Sequence, residues 1–162
     1  MHPSTERVKQ ALLAAGSTVQ IVELTGAATT AALAAEVLGV QVGQIANSLV
    51  FLADSAPFMV LTSGANRVDM GKVAAVLGAT KVGRADPDAV RAATGFAIGG
   101  VSPLAHATAI PVLVDQDLEQ YDVIWAAAGT PHTVFATTYA DLVRLSGGRP
   151  ADVRQDQSRT VN

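Results

Sequence analysis

Helix punctuation is the feature of this chain that most restricts its fold. Thr30 precedes an apolar stretch (Leu33, Val37, Leu38) that ends at Gly39, and Asp69 opens a stretch to Leu77 that stops at Gly78. Asp86-Pro87 starts another that closes at Gly95, and Thr138 with Asp141 three residues on opens a last one through Leu142, Val143 and Leu145. An oxygen at the first position accepts from an orphaned first-turn N–H, proline suits the first helical position, and glycine readily takes the left-handed turn that ends a helix. A further helix is expected from Ser4 or Thr5, with Val8, Leu12 and Ala15 on one face and Gly16 as its stop.

Strand-like runs separate these helices. Thr18 to Leu24, Ile110 to Asp115, Val123 to Ala128 and Thr133 to Ala136 read as strands, and 48–52 and 58–62 as two more joined in a hairpin by 53–57. Strands in hairpin-length pairs, mixed with helices rather than in strict βαβ repeats, predict an α+β domain with a mixed, largely antiparallel sheet over 1–148. Beyond Gly147-Gly148 the segment 149–162 offers little to bury and reads as a loose tail.

Composition limits the chemistry. At 162 residues, 49% apolar and 15% charged, the chain suffices for one domain with a core of small aliphatic groups. The absence of cysteine excludes disulfides, thiolate metal sites and a cysteine nucleophile. No apolar leader opens the chain and no run has the roughly 18 charge-free apolar residues of a membrane span, so a soluble, cytoplasmic protein is expected. A net charge of −3 provides no basic face to grip duplex DNA. Arg67, Lys72, Lys81, Arg84 and Arg91 do fall in one stretch, which reads either as a solvated face or as a patch suited to a nucleic-acid end.

The most unusual segment runs from Gly95 through Gly99-Gly100-Val101-Ser102-Pro103 to His106. Adjacent glycines let a ligand approach bare N–H groups, and the proline stiffens the exit; such donors can hold a developing oxyanion. A plain turn or bulge between strands accounts for the same residues. His2, His106 and His132 lack metal-ligand spacing, so no metal or other cofactor is expected. Ser48 and Ser102 lack a nucleophile elbow, and no carboxylate pair stands out.

Four blocks taken together resemble the YbaK/prolyl-tRNA-synthetase-associated family: Val42 to Phe51 (VGQIANSLVF), Leu61 to Asp69 (LTSGANRVD), Gly95 to Pro103 (GFAIGGVSP) and Ala126 to Pro131 (AAAGTP). The resemblance runs from the first helix to about Gly148. It implies a curved, barrel-like mixed sheet flanked by helices. The implied activity is trans-editing, the hydrolysis of the ester on mischarged tRNA, typically tRNA charged by prolyl-tRNA synthetase, without metal or covalent nucleophile. The partners implied are the tRNA 3′ end and a synthetase.

Carried onto this sequence, the resemblance makes Gly99, Gly100 and Asn47 the reaction centre. Ser48, Val101, Ser102, Pro103, His106, Gly129, Thr130 and His132 would bind substrate, with walls around Phe51, Met59 and Ile98. The family has lysine where this chain has Asn47; asparagine donates hydrogen bonds but carries no charge. Arg67 or Lys72 would supply the missing cation. The other reading is a catalytically degenerate binding module of the same fold, recognising a tRNA 3′ end, a small ligand or a synthetase.

Overall fold

The structure is a computed structural model describing residues 1–26 and 29–156. Its helices are α1 (Pro3–Ala14), α2 (Ala31–Leu38), α3 (Met70–Leu77), α4 (Pro87–Thr94) and α5 (Tyr139–Ser146). Its strands are β1 (Ile21–Glu23), β2 (Ile45–Ala53), β3 (Ala56–Ser63), β4 (Val82–Arg84), β5 (Val112–Asp115), β6 (Ile124–Ala127), β7 (Thr133–Thr137) and β8 (Arg149–Ala151).

The helix ends form as the caps dictate. Thr30, Asp69, Asp86 and Thr138 accept from the N–H of Leu33, Lys72, Ala89 and Asp141 at 3.2, 3.0, 2.8 and 3.2 Å. Gly39, Gly78, Gly95 and Gly147 close the four helices at φ between 66° and 80°. Helix α1 differs from the expectation at Ser4 or Thr5. His2 is its cap, with Nδ1 accepting from Ser4 N at 3.0 Å, and Pro3 occupies the first turn. Thr5 lies inside the helix with its hydroxyl bonded to that of Thr133. The hairpin is also tighter than expected: β2 and β3 pair as far as Ala53 and Ala56, because Asp54 and Ser55 both take positive φ (47° and 72°). A two-residue turn of this kind matches the strand twist.

The eight strands form one open mixed sheet in the order β1-β7-β6-β2-β3-β5-β8, with β4 also paired to β2. Antiparallel pairing joins β1 to β7, β7 to β6, β2 to β3 and β2 to β4, and parallel pairing joins β2 to β6, β3 to β5 and β5 to β8. Both faces are covered. Along β3, Met59 and Leu61 enter the main core with Val8 and Leu12 of α1, Val90 of α4 and Leu142 of α5. Phe58 and Val60 pack the other way against Val73 of α3, and Ile45 of β2 packs against Ala31, Ala34 and Ala35 of α2. Alternate residues of a strand point to opposite faces, so a central strand covered on both sides reads as the unbroken apolar run seen here.

Two features follow from the pairing. First, the segment from 149 is not a loose tail over its described length. Strand β8 pairs with β5, Val153 is fully buried, and Asp69 N donates to Val153 O at 2.7 Å. The sheet therefore continues past residue 148; residues 157–162 lie outside the described ones. Second, β2 pairs with β6 only at Ile45–Ala46 and with β4 only at Phe51–Ala53. On that edge the stretch 47–50 has no strand beside it among the described residues, so the sheet opens between β6 and β4.

Candidate functional site

A cavity of about 520 Å³ occupies this opening. Residues 45–51 of β2 form its floor, Trp125 to Ala127 of β6 one side, and Arg84, Ala85 and Val90 the other. Thr29, Thr30, Ala31 and Ala34 at the start of α2, together with Ile98, Gly99 and Val101, complete the wall. Its walls are mostly apolar with few polar groups, the usual make-up of a small-molecule site. Asn47 and Arg84 are its principal polar side chains, and neither makes a side-chain hydrogen bond or ion pair with a described residue. Among the described residues no Asp, Glu, His or Lys lines it. Ser48 also lines it, but its Oγ is covered and has no hydrogen-bond partner among the described residues. Position 48 falls between Ala46 and Val50 on the strand face that enters the main core.

The glycine loop is fixed from behind. Gly95 caps α4, Gly100 N donates to Ala97 O at 3.0 Å, and Gly99 has φ 94°, which favours glycine. Arg7 of α1 donates from Nε to Ala105 O at 3.1 Å and from a terminal nitrogen to Thr94 O at 2.9 Å. Its guanidinium lies 4.2 Å from the centre of the buried Phe96 ring. His106 Nε2 lies 2.8 Å from Ser102 O. A carbonyl only accepts, so this nitrogen carries the proton. Burial, aided by the nearby Arg7 charge, holds the imidazole below its ordinary pKa of 6.5, while the bond to Ser102 works the other way.

This loop divides two cavities. Ile98, Gly99 and Val101 face the Asn47 cavity, whereas Ala97 and Gly100 face a second one of about 720 Å³. The second cavity also has Gly129, Thr130 and His132 in its wall, with Arg91 and the start of α1. Its threonine hydroxyls are already bonded within the fold: Thr133 Oγ1 lies 2.8 Å from Thr130 Oγ1 and 3.2 Å from Thr5 Oγ1. His2 is likewise engaged as the α1 cap. Glu23, Arg91 and His132 in its wall make no side-chain hydrogen bond or ion pair with a described residue, and the Asn47 cavity is the better candidate because it brings Asn47 to Gly99 and Val101.

The residues expected to act together are thus sorted into groups. Asn47, Ser48, Gly99 and Val101 meet around one cavity, along with Phe51 and Ile98. Gly100, Gly129, Thr130 and His132 line the other. Ser102 and Pro103 are buried behind the loop and His106 braces it; none of the three lines either cavity. Met59 is fully buried in the core rather than in a wall. Arg67 and Lys72 line neither cavity, and the Lys72 ammonium binds Asp152 at 3.0 Å, Asp156 at 3.2 Å and Arg154 O at 2.8 Å. Sequence reasoning missed Arg84 as a cavity residue and Arg7 as a brace. Arg84 stood only within a mixed-charge stretch, and nothing local marks Arg7, whose partners lie 87 and 98 residues away.

Comparison with known proteins fits this geometry. The model of a family described as an aminoacyl-tRNA editing domain matches residues 25–145. A candidate Cys-tRNA(Pro)/Cys-tRNA(Cys) deacylase of Enterococcus faecalis, EbsC, is 27% identical over 120 residues, covering 74% of this chain and 73% of that one. A solved structure described as a candidate trans-editing enzyme for prolyl-tRNA synthetase superposes with a TM-score of 0.91 at 41% identity, over 96% of this chain and 99% of the other. A hypothetical protein of known structure superposes at 0.85 with 26% identity, over 92% and 99%.

Proposed function

This chain belongs to the aminoacyl-tRNA editing domain family, and on that premise we propose that it hydrolyses the ester of mischarged tRNA in trans, acting on tRNA charged by prolyl-tRNA synthetase. The observation that carries the reading is the meeting of Asn47 with the Gly99–Val101 side of the glycine loop around one largely apolar cavity.

The chemistry suits such a site. Water adds to the ester carbonyl, the carbonyl oxygen takes up negative charge, and collapse expels the terminal ribose oxygen, which gains a proton as the free amino acid leaves. Gly100 N–H is engaged with Ala97 O. In this reading Gly99 and Val101 therefore present the amides that hold the oxyanion, and a donor so placed contributes about 10²–10³ in rate. Asn47 orients the ester through its carboxamide. With no acid–base side chain in the wall, the ribose hydroxyl beside the ester assists the water. Editing of this kind is required because a synthetase pocket gains only about 1–3 kcal/mol per methylene, so small amino acids are mischarged. The protein works in the cytoplasm, meeting the tRNA 3′ end and, in passing, the synthetase.

A cavity with no lysine among its described lining residues also favours a second reading, a binding module that has lost the reaction. The family resemblance places a lysine at the Asn47 position, and Lys72 is engaged elsewhere. A panel of Ala-, Ser-, Thr- and Cys-tRNA for proline decides between them. Release of one amino acid well above the spontaneous rate establishes editing. A flat panel with folded protein, and activity gained in Asn47→Lys, establishes the degenerate module.

A further inference from the structure

We propose that Arg84 is the phosphate anchor of the Asn47 cavity, holding the phosphate that joins the substrate's terminal nucleoside to the rest of the RNA. This deepens the deacylase reading and rests on it.

Arg84 is the one charged residue among the described residues lining the cavity, and it forms no ion pair or side-chain hydrogen bond with any of them. Its mounting is fixed although its side chain is free. Strand β4 pairs with β2, Arg84 opposite Phe51, on the strand that carries Asn47. At the other end of β4 the Asp54 carboxylate accepts from Thr80 N and Lys81 N at 3.0 and 2.8 Å. The other basic residues of the stretch are excluded by position: Lys72 is held by two aspartates, Arg67 and Lys81 line neither cavity, and Arg91 lies beyond the loop.

Charge then selects the group that Arg84 meets. The α-ammonium of an aminoacyl ester repels a guanidinium, and the ester carbonyl is neutral. The nearest anion on such a substrate is the phosphate of its terminal nucleotide. A planar guanidinium presents paired donors that match phosphate oxygens. That phosphate is unchanged by ester hydrolysis, so the contact stabilises ground and transition states alike and acts on KM rather than kcat.

The test compares adenosine 5′-monophosphate with adenosine by calorimetry, in the wild type, in Arg84→Ala and in Lys9→Ala, an exposed α1 cation outside both cavities. The wild type and Lys9→Ala are expected to bind the monophosphate about tenfold more tightly than the nucleoside, and Arg84→Ala to bind the two equally. Arg84→Lys, which keeps the charge but not the fork, is expected to retain part of the preference. Equal binding by the wild type, or an undiminished preference in Arg84→Ala, overturns the proposal. Neither probe contains an ester, so the outcome is separate from turnover. An inactive protein with an Arg84-dependent preference sinks the deacylase reading and leaves the anchor standing. In an active protein, Arg84→Ala is expected to raise KM about tenfold at constant kcat, and a fall in kcat alone counts against the anchor.

Discussion

The two cavities on either side of the glycine loop are of similar size, about 520 and 720 Å³, yet their polar groups are arranged differently. In the larger, the threonine hydroxyls bond to one another and His2 caps a helix, so their hydrogen-bonding capacity serves the fold. In the smaller, Asn47 and Arg84 have no side-chain partner among the described residues, and the strand edge above them is unpaired from 47 to 50. Glu23 and Arg91 of the larger cavity are likewise unengaged with described residues but carry opposite charges, whereas Arg84 has no counter-charge among the described residues lining its cavity. Volume alone would have chosen the other cavity.

The glycines on the partition give the strongest way to break this comparison. Gly99 faces the Asn47 cavity at φ 94°, and a Cβ there meets only Pro131 and Thr29 at 3.6 and 4.0 Å. Gly99→Val is therefore strained locally, by about 1–3 kcal/mol, but not crushed against its neighbours. It is expected to keep its far-UV circular dichroism and to lose about a hundredfold or more in kcat/KM as the donors shift. Gly100 faces the other way, and a Cβ there would come within 2.7 Å of the Thr130 backbone, which cannot swing aside. Gly100→Ala is expected to act chiefly on stability, read as a lowered melting temperature. Full turnover in Gly99→Val would remove the loop from the reaction centre.

The brace behind the loop gives a smaller effect that depends on pH. His106 is held below its ordinary pKa of 6.5 in the folded protein, by burial first and then by Arg7. Below that value the unfolded chain binds more protons than the folded one, so stability rises with pH in this window and is lost as pH falls through it. Protonation also sets an imidazolium beside a guanidinium. Denaturant midpoints measured at pH 8 and pH 5.5 are expected to drop on acidification in the wild type and to drop less in His106→Gln. Equal slopes would mean that the ring does not sense the folded environment.

What was legible in the sequence was local. The caps of α2 to α5 were readable because each needs one oxygen, one N–H within three residues and a glycine at the end. The fold class followed from the order of these segments, and the placing of Asn47 with Gly99 from the resemblance. What was not legible depends on distant partners. Strand β8 is three residues long and contains a proline, and only its pairing with β5 and the burial of Val153 make it part of the sheet. Lys72 was a reasonable cation for the site until the chain brought Asp152 and Asp156 to it. The glycine pattern announced the loop, but the face each residue shows is set by Thr130 and Arg7, from other ends of the chain.

Ser48 sharpens the comparison at the smallest scale. Its residue lines the Asn47 cavity, yet its hydroxyl is covered and unpartnered, at a strand position between Ala46 and Val50. A buried hydroxyl without a partner carries its desolvation penalty in the folded state, of about 1–3 kcal/mol. Alanine at this position keeps the Cβ and removes the oxygen, leaving a gap too small to offset that gain in full. Ser48→Ala is therefore expected to be more stable than the wild type by up to about 1 kcal/mol, a rise of about 2–4 °C in melting temperature for a chain of this size. The direction matters more than the amount. An alanine variant that melts below the wild type would mean that the hydroxyl is bonded in the native protein and belongs, like the threonines across the loop, to the scaffold. A variant that melts above it would mark a polar group kept at a cost to the fold, in the cavity that Asn47 and Arg84 line.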